Sequence, residues 1–152
     1  MLEQLKNSYP EINFLPGTTY SWNHATKTIT YSKKGLGHKH YHSIVHELSH
    51  AILGHAHFKN DIDLLKMERD AWSLTKKLLR DFALKIDSEH IEDCLDTYRD
   101  WIYKRAKCPN CAHVGFQSSK NAYSCVSCVL SWRLPESRLC MVKRVLDPIA
   151  RL

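Results

Sequence analysis

The sequence has no apolar stretch that approaches the roughly 18 consecutive residues needed to cross a bilayer. Its first 17 residues, MLEQLKNSYPEINFLPG, have no basic start followed by an apolar run, and so do not resemble a secretory signal peptide. Internal repeats and low-complexity segments are also missing. From these absences we expect a soluble cytoplasmic protein that makes no membrane contact and keeps its cysteines reduced.

Acidic residues are scarce in the last third of the chain. Residues 104–152 carry nine Lys/Arg and two Asp/Glu, whereas residues 1–103 carry 13 and 14. The formal net charge of +6 therefore arises entirely from the C-terminal third. Such asymmetry predicts a nucleic-acid or acidic protein partner, and a solvated basic surface explains it equally well.

The remaining composition is that of a globular protein, with 43% hydrophobic and 25% charged residues in a chain of 152. We expect an α+β fold in two domains, residues 1–106 and 107–152. Residues 19–32 alternate as a β-hairpin does, with a turn near Asn23–Lys27. Three helices are predicted next, followed by three small strands and a short helix. The first helix is expected at 40–58, the second from Asn60 or Asp61 to Ala83, and the third begins at its cap, Ser88. The strands are expected at GFQ, AYSC and LSWRL, and the short helix at 139–146.

The segment HELSHAILGH, residues 46–55, carries the clearest chemistry. On a helix, His46 and His50 lie one turn apart on the same face, so both imidazoles can bind one zinc ion. Glu47 is rotated by about 100° from His46 and cannot easily join them. It can reach a water at the metal, which is the general-base position of zinc peptidases.

A five-residue motif with three fixed positions occurs often by chance, so HExxH alone does not establish a zinc site. A catalytic zinc also needs a third protein ligand. His55 and His57 are suitable by residue type, although His55 is rotated away from the His46/His50 face. Glu68 is the better candidate because it lies on the apolar side of the second helix, where an unpartnered carboxylate is costly. An ordinary intrahelical ion pair is the alternative explanation. Asp70 competes for this role but points further from the apolar stripe.

The segment HELSHAILGH, followed by ERDAWSLTKKLL, resembles the ImmA/IrrE family of metallopeptidases. Those proteins show an HELxHxxxxH-like segment and then a helix reading ExEANxFAxxLL. Glu68 and Asp70 match its two acids and Ala71 its Ala, while Trp72 replaces the Asn and Thr75 the second Ala. The resemblance covers roughly residues 19–82.

This resemblance implies a gluzincin-like fold, with a small sheet over the active-site helix and an edge strand that can pair with an extended peptide. It implies His46, His50 and Glu68 as ligands of a catalytic zinc, with Glu47 as the base. It also implies a protein substrate, often a DNA-binding regulator. The sequence leaves the oxyanion-stabilising residue open among four candidates, which are His90, Tyr98, His42 and Tyr31.

Two CxxC pairs, Cys108–Cys111 and Cys125–Cys128, are separated by 13 residues and predict a structural zinc ribbon. Four thiolates leave no open coordination position, so this zinc is expected to be structural. It would stabilise a segment that is too small to bury a core of its own. Three aromatic residues there either stack on nucleic-acid bases, with Lys120 and Arg133 on phosphates, or cover the core. They are Phe116, Tyr123 and Trp132, of which Trp132 fits the core best.

Two other functions fit the same residues. The first is a SprT-like protease acting on DNA-associated proteins, a class that also joins HExxH to a zinc ribbon but uses a third His. The second is a binding module for nucleic acid or protein in which the HExxH site binds metal without cleaving a substrate.

Overall fold

The computed structural model describes residues 1–34, 37–135 and 144–146, and within these ranges it is an α+β structure, as predicted. The helices and strands are α1 (Leu2–Ser8), β1 (Asn13–Gly17), β2 (Ser21–Asn23), β3 (Thr28–Ser32), α2 (Gly37–Ile52), α3 (Asp61–Asp81), α4 (Ser88–Ala106), β4 (Phe116–Ser119), β5 (Ala122–Ser124), β6 (Ser131–Arg133) and β7 (Val145–Leu146). None of the helices in these ranges is long and apolar enough to cross a bilayer.

The chain divides into two compact units, each assembled from two stretches of sequence. The first unit comprises residues 1–57 and 66–92, and the second comprises residues 58–65 and 93–152. The predicted boundary between residues 106 and 107 stays a prediction.

A three-stranded sheet in the order β1-β3-β2 forms the first unit with α2, which packs against β2 and β3. β2 and β3 pair antiparallel, which confirms the predicted hairpin. β1 pairs parallel to β3 and was not predicted, because its sequence, NFLPG, contains Pro16 and Gly17. Proline is tolerated there because β1 is an edge strand.

α2 ends at Ile52, six residues before the predicted end at Phe58. Gly54 adopts φ +66, and the main-chain N–H of His55 donates to the His50 carbonyl while that of Gly54 donates to Ala51. These two bonds are a Schellman motif, which terminates helices at a left-handed glycine. The sequence does not reveal this end of the helix, because its three- and four-residue periodicity continues through Ile52 to His55.

The helix caps agree with the prediction at α3 and differ at α4. The Asn60 side chain accepts the Asp63 N–H at 2.8 Å, so Asn60 is the N-cap of α3. At α4 it is Asp87 that accepts the Glu89 N–H, at 3.1 Å. The prediction of Ser88 as the cap is therefore wrong by one residue. The Ser88 hydroxyl accepts a hydrogen bond from Lys76 instead.

The second unit contains an antiparallel sheet in the order β4-β5-β6-β7, which confirms the three predicted strands. The predicted short helix near 139–146 is wrong at Val145–Leu146, which pair with β6 as β7; its residues 139–143 lie outside the described ranges. Trp132 and Tyr123 are 0% and 3% exposed and stack with ring centres 5.8 Å apart. Both belong to the core of this unit.

Candidate metal centres

The first candidate metal centre is formed by His46 and His50 of α2 and Glu68 of α3, all three of them buried. The His46 and His50 Nε2 atoms are 3.2 Å apart. The nearer Glu68 oxygen, Oε2, lies 3.2 Å from His46 Nε2 and 3.6 Å from His50 Nε2. Donor atoms on a tetrahedral zinc lie about 3.3–3.4 Å apart, given Zn–N and Zn–O bonds of about 2.0–2.1 Å. The three atoms are therefore spaced as ligands of one small ion.

The charges in this centre suit a cation. The neighbouring imidazoles of His46 and His50 outweigh the effect of burial and hold the pKa of Glu68 well below its usual range. Burial lowers the pKa of His46. The stable form at neutral pH thus includes an ionised carboxylate and an imidazole with a free lone pair, which is the protonation state a metal requires.

Two residues beside the ligands fix the imidazole rings. The Schellman turn returns His55 toward α2, so that its Nδ1 lies 2.9 Å from His50 Nδ1 and leaves His50 Nε2 for the ion. The Trp22 indole N–H holds this turn by donating to the His55 carbonyl at 2.9 Å. Trp72 stacks on the His46 ring at 3.9 Å. A ligand histidine bonded through its outer nitrogen is a regular feature of metal sites.

Glu47 is half-buried beside this centre, and burial raises its pKa to about 7. The nearby main chain of Trp22 opposes part of this rise in pKa. A carboxylate whose pKa lies near neutral pH is matched to taking up and returning a proton.

The second candidate metal centre consists of the four cysteines of the two CxxC pairs, whose sulfur atoms all lie within 4.8 Å of one another. The Cys108 and Cys128 Sγ atoms are 3.6 Å apart, and those of Cys111 and Cys125 are 3.4 Å apart. Sulfurs on a tetrahedral zinc lie about 3.8 Å apart, given Zn–S bonds of about 2.3 Å, whereas a disulfide has S–S of about 2.05 Å. The cluster fits a metal and contains no disulfide.

Main-chain N–H groups prepare this cluster for a cation. Hydrogen bonds from the N–H groups of Cys128 and Ser127 lower the pKa of the Cys125 thiol to about 6. The pKa of Cys128 is also lowered, first by the N–H of Leu130. Thiolates are the metal-binding form of cysteine, so these turns favour metal binding at Cys125 and Cys128, whereas burial and the neighbouring thiols raise the pKa of Cys111.

The structure thus brings together both predicted ligand sets and separates the alternatives from them. His55 lies behind His50 instead of sharing its ion, and His57 is exposed. Asp70 is half-buried and forms an ion pair with Arg69. The contact between His55 and His50 was missed because it depends on the turn at Gly54.

The four oxyanion candidates are placed differently. The Tyr31 ring contacts His40, and Tyr98 belongs to the second unit. His42 and His90 lie near each other in the first unit, with ring centres 6.2 Å apart. These positions do not identify which of the four residues would stabilise the oxyanion.

No protein-family model matches the chain, and neither a curated protein nor a solved structure matches it. The resemblance noted above stays a prediction, and the function is proposed from the geometry of the two centres.

Glu68→Gln is expected to weaken Zn²⁺ binding at the first centre by about 10²–10³-fold, since complete four-ligand zinc sites contribute about 10–16 kcal/mol. The loss of a ligand anion accounts for this effect, because glutamine keeps the size of the side chain and one acceptor oxygen. Zinc affinity is measured by competition with a chelator. Asp70→Asn is the matched control two residues away, and equal losses in both variants would contradict the assignment of Glu68 as a ligand.

Proposed function

We propose that the protein is a zinc-dependent endopeptidase that hydrolyses peptide bonds of a protein substrate. The observation that carries this proposal is the spacing of three buried donor atoms, at 3.2–3.6 Å, with the Glu47 carboxylate beside them. His46, His50 and Glu68 would hold the ion, and the fourth position would stay open for water. Four-cysteine centres have no such position, so the second centre is proposed to hold a structural zinc.

Each residue of the first centre has one role in this mechanism. A zinc ion held by His46, His50 and Glu68 would supply Lewis acidity, which would polarise the scissile carbonyl and make the attacking water more acidic. Glu47 takes up the proton of the attacking water and returns it to the leaving nitrogen. His55 orients His50 through the contact between their Nδ1 atoms.

The substrate is proposed to lie along β2, an edge strand of its sheet, as an additional strand. Beside β2 is a groove of 450 Å³ whose apolar walls include Ile12, Trp22 and Ile52. Trp22 lines this groove, and its main chain lies near Glu47. A large apolar side chain of the substrate fits the apolar part of this groove. The charged residues Glu11 and Lys27 line the groove as well.

The basic second unit is proposed to bind an acidic partner, either a protein or a nucleic acid. Tyr123 and Trp132 are core residues, so of the three aromatic residues predicted from the sequence only Phe116, at 53% exposure, is available to a partner. A DNA-binding regulator as substrate and a SprT-like role on DNA-associated proteins both remain proposals of this kind.

The proposed activity is tested with zinc-loaded protein and a library of peptides made by digesting a whole proteome. We expect new peptide termini by mass spectrometry, and we expect them to disappear in His46→Ala/His50→Ala and after chelation. His57→Ala, a change at an exposed histidine, is the control and should cleave like the wild type. If the loaded wild type produces no new termini, the peptidase proposal is wrong and the non-catalytic metal-binding module replaces it.

A further inference from the structure

The turn that ends α2 also forms part of the wall of the groove beside β2. Ala51, Ile52 and Gly54 line this groove, and Trp22 of β2 lines it as well. The main-chain N–H of Gly54 donates to the Ala51 carbonyl at 3.1 Å, which is one of the two bonds of the Schellman motif. A molecule in the groove would therefore touch the turn directly.

Hydrogen bonds, rather than tight packing, hold this turn at Gly54. Gly54 adopts φ +66, and a Cβ added to it would meet no atom within 4 Å in the part of the chain that the structure describes. A left-handed conformation is costly for residues with a side chain, so glycine is needed here for its backbone and not for space. The position of the turn therefore depends on the groups that bind its carbonyls.

Trp22 belongs both to the groove and to the support of this turn. It lines the groove, and its indole N–H donates to the His55 carbonyl at 2.9 Å. Trp22 is half-buried, so water competes for this hydrogen bond while the groove is open. An apolar side chain in the groove would exclude that water, and a hydrogen bond is stronger where the local dielectric is low.

His55 connects this turn to a candidate metal ligand. Its Nδ1 lies 2.9 Å from His50 Nδ1, and the centres of the two rings are 5.0 Å apart. An imidazole that binds a metal through Nε2 carries its proton on Nδ1, so His50 would donate this hydrogen bond. The bond fixes the direction in which the His50 Nε2 lone pair points. Because the Trp22 indole holds the main chain of His55, it also affects the orientation of His50.

We propose that Trp22 couples the binding of a large apolar side chain in the groove to the orientation of His50, with His55 between them. That apolar side chain belongs to the substrate strand, so this inference rests on the proposed function. Trp22 is then a specificity-determining residue through its ring and a positioning residue through its N–H. The coupling is reciprocal: a filled groove tightens zinc binding at the first centre, and bound zinc tightens binding in the groove by the same factor.

The test is the zinc affinity of tag-free full-length protein, measured by chelator competition with and without N-acetyl-L-phenylalaninamide as the probe of the groove. The first centre is the binding step that is missing from His46→Ala/His50→Ala. We expect the probe to tighten this step by about fivefold or more in the wild type. A turn that serves only to end the helix predicts no response to the probe.

Trp22→Phe is the decisive variant, because phenylalanine keeps an aromatic wall and removes the donor to His55. We expect zinc to bind the first centre about tenfold more weakly, as is usual when an outer-shell partner is lost, and the probe to have no effect. Tyr103→Phe is the control, since it removes a donor from an exposed aromatic residue of α4, and it should behave as the wild type.

Three results would overturn the proposal. The first is the absence of a probe effect in the wild type up to the highest soluble probe concentration. The second is an equal probe effect in the wild type and Trp22→Phe, which would mean that the probe contacts the ion directly. The third is an unchanged zinc affinity in folded Trp22→Phe.

If Trp22→Phe fails to fold, a pair of variants at Gly54 decides. Alanine disfavours the left-handed turn, so Gly54→Ala should weaken both zinc binding and the probe effect. Asparagine tolerates this conformation, so Gly54→Asn should restore both, and equal affinities in the wild type and Gly54→Ala would overturn the proposal. No peptide is cleaved in these measurements. Coupling without cleavage therefore rejects only the proposed peptidase, and cleavage without coupling rejects only this inference.

Discussion

Glu47→Gln is expected to lower peptide hydrolysis by about 10²–10⁴-fold, the usual contribution of a general base, while the zinc content stays that of the wild type. Glutamine has the shape of glutamate but cannot accept the proton of the attacking water. None of the three proposed ligands is altered, because Glu47 lies beside the donor set and not within it. The loss should appear in kcat, since the base acts in the transition state.

The measurement pairs a steady-state assay on a cleaved peptide with elemental analysis of the same sample. Glu3→Gln is the matched control, the same chemical change on an exposed side chain of α1. Loss of zinc together with activity would mean that Glu47 supports the metal site structurally. Unchanged activity would place the base elsewhere and remove the role proposed for Glu47.

The two groups of candidate metal ligands were predictable because their constraints are local. The four-residue step from His46 to His50 fixes two donors on one helix face, whatever surrounds that helix. Glu68 was predictable because it lies on the apolar side of a helix, where a buried carboxylate is costly. A cation or a hydrogen-bond donor must offset that cost. The two CxxC pairs carry the same kind of information, since four sulfurs at these spacings have few alternatives to a shared metal.

The surroundings of the ligands were not predictable, because they depend on where the chain turns. His55 reaches His50 only through the left-handed conformation at Gly54, which a periodic apolar pattern does not reveal. The parallel partner of β3 is a segment with proline and glycine, a composition that argues against a strand.

Asp61 and Arg105 form a buried ion pair in the second unit, between residues 44 apart in the sequence. This pair was not predicted from the sequence. Their side chains are 1% and 2% exposed, and Arg105 Nε donates to Asp61 Oδ2 at 2.6 Å. The Tyr123 hydroxyl donates to the same oxygen at 2.5 Å. Arg105 also donates to the Pro135 carbonyl and lies over the Trp101 ring. The basic excess of residues 104–152 therefore includes one charge that is not available to a partner.

Asp61→Ala is expected to destabilise the second unit by about 3–5 kcal/mol, the range found when one partner of a buried ion pair is removed. Arg105 would keep its charge in a buried position, and the Tyr123 hydroxyl would lose its acceptor. Native-state hydrogen exchange of the β5 and β6 amides reports on this unit directly. Exchange through unfolding should become roughly 10²–10⁴-fold faster, since about 1.36 kcal/mol corresponds to tenfold.

Asp96→Ala is the control, because Asp96 forms an exposed pair with Arg99, at 2.7 Å with side chains 63% and 45% exposed. Such a pair contributes about 0–1 kcal/mol, so exchange should change by less than tenfold. Asp61→Ala/Arg105→Met should recover part of the loss, because methionine removes the uncompensated charge and retains an apolar side chain of similar length. A double variant as unstable as Asp61→Ala would contradict this electrostatic explanation and assign the effect to packing around Tyr123.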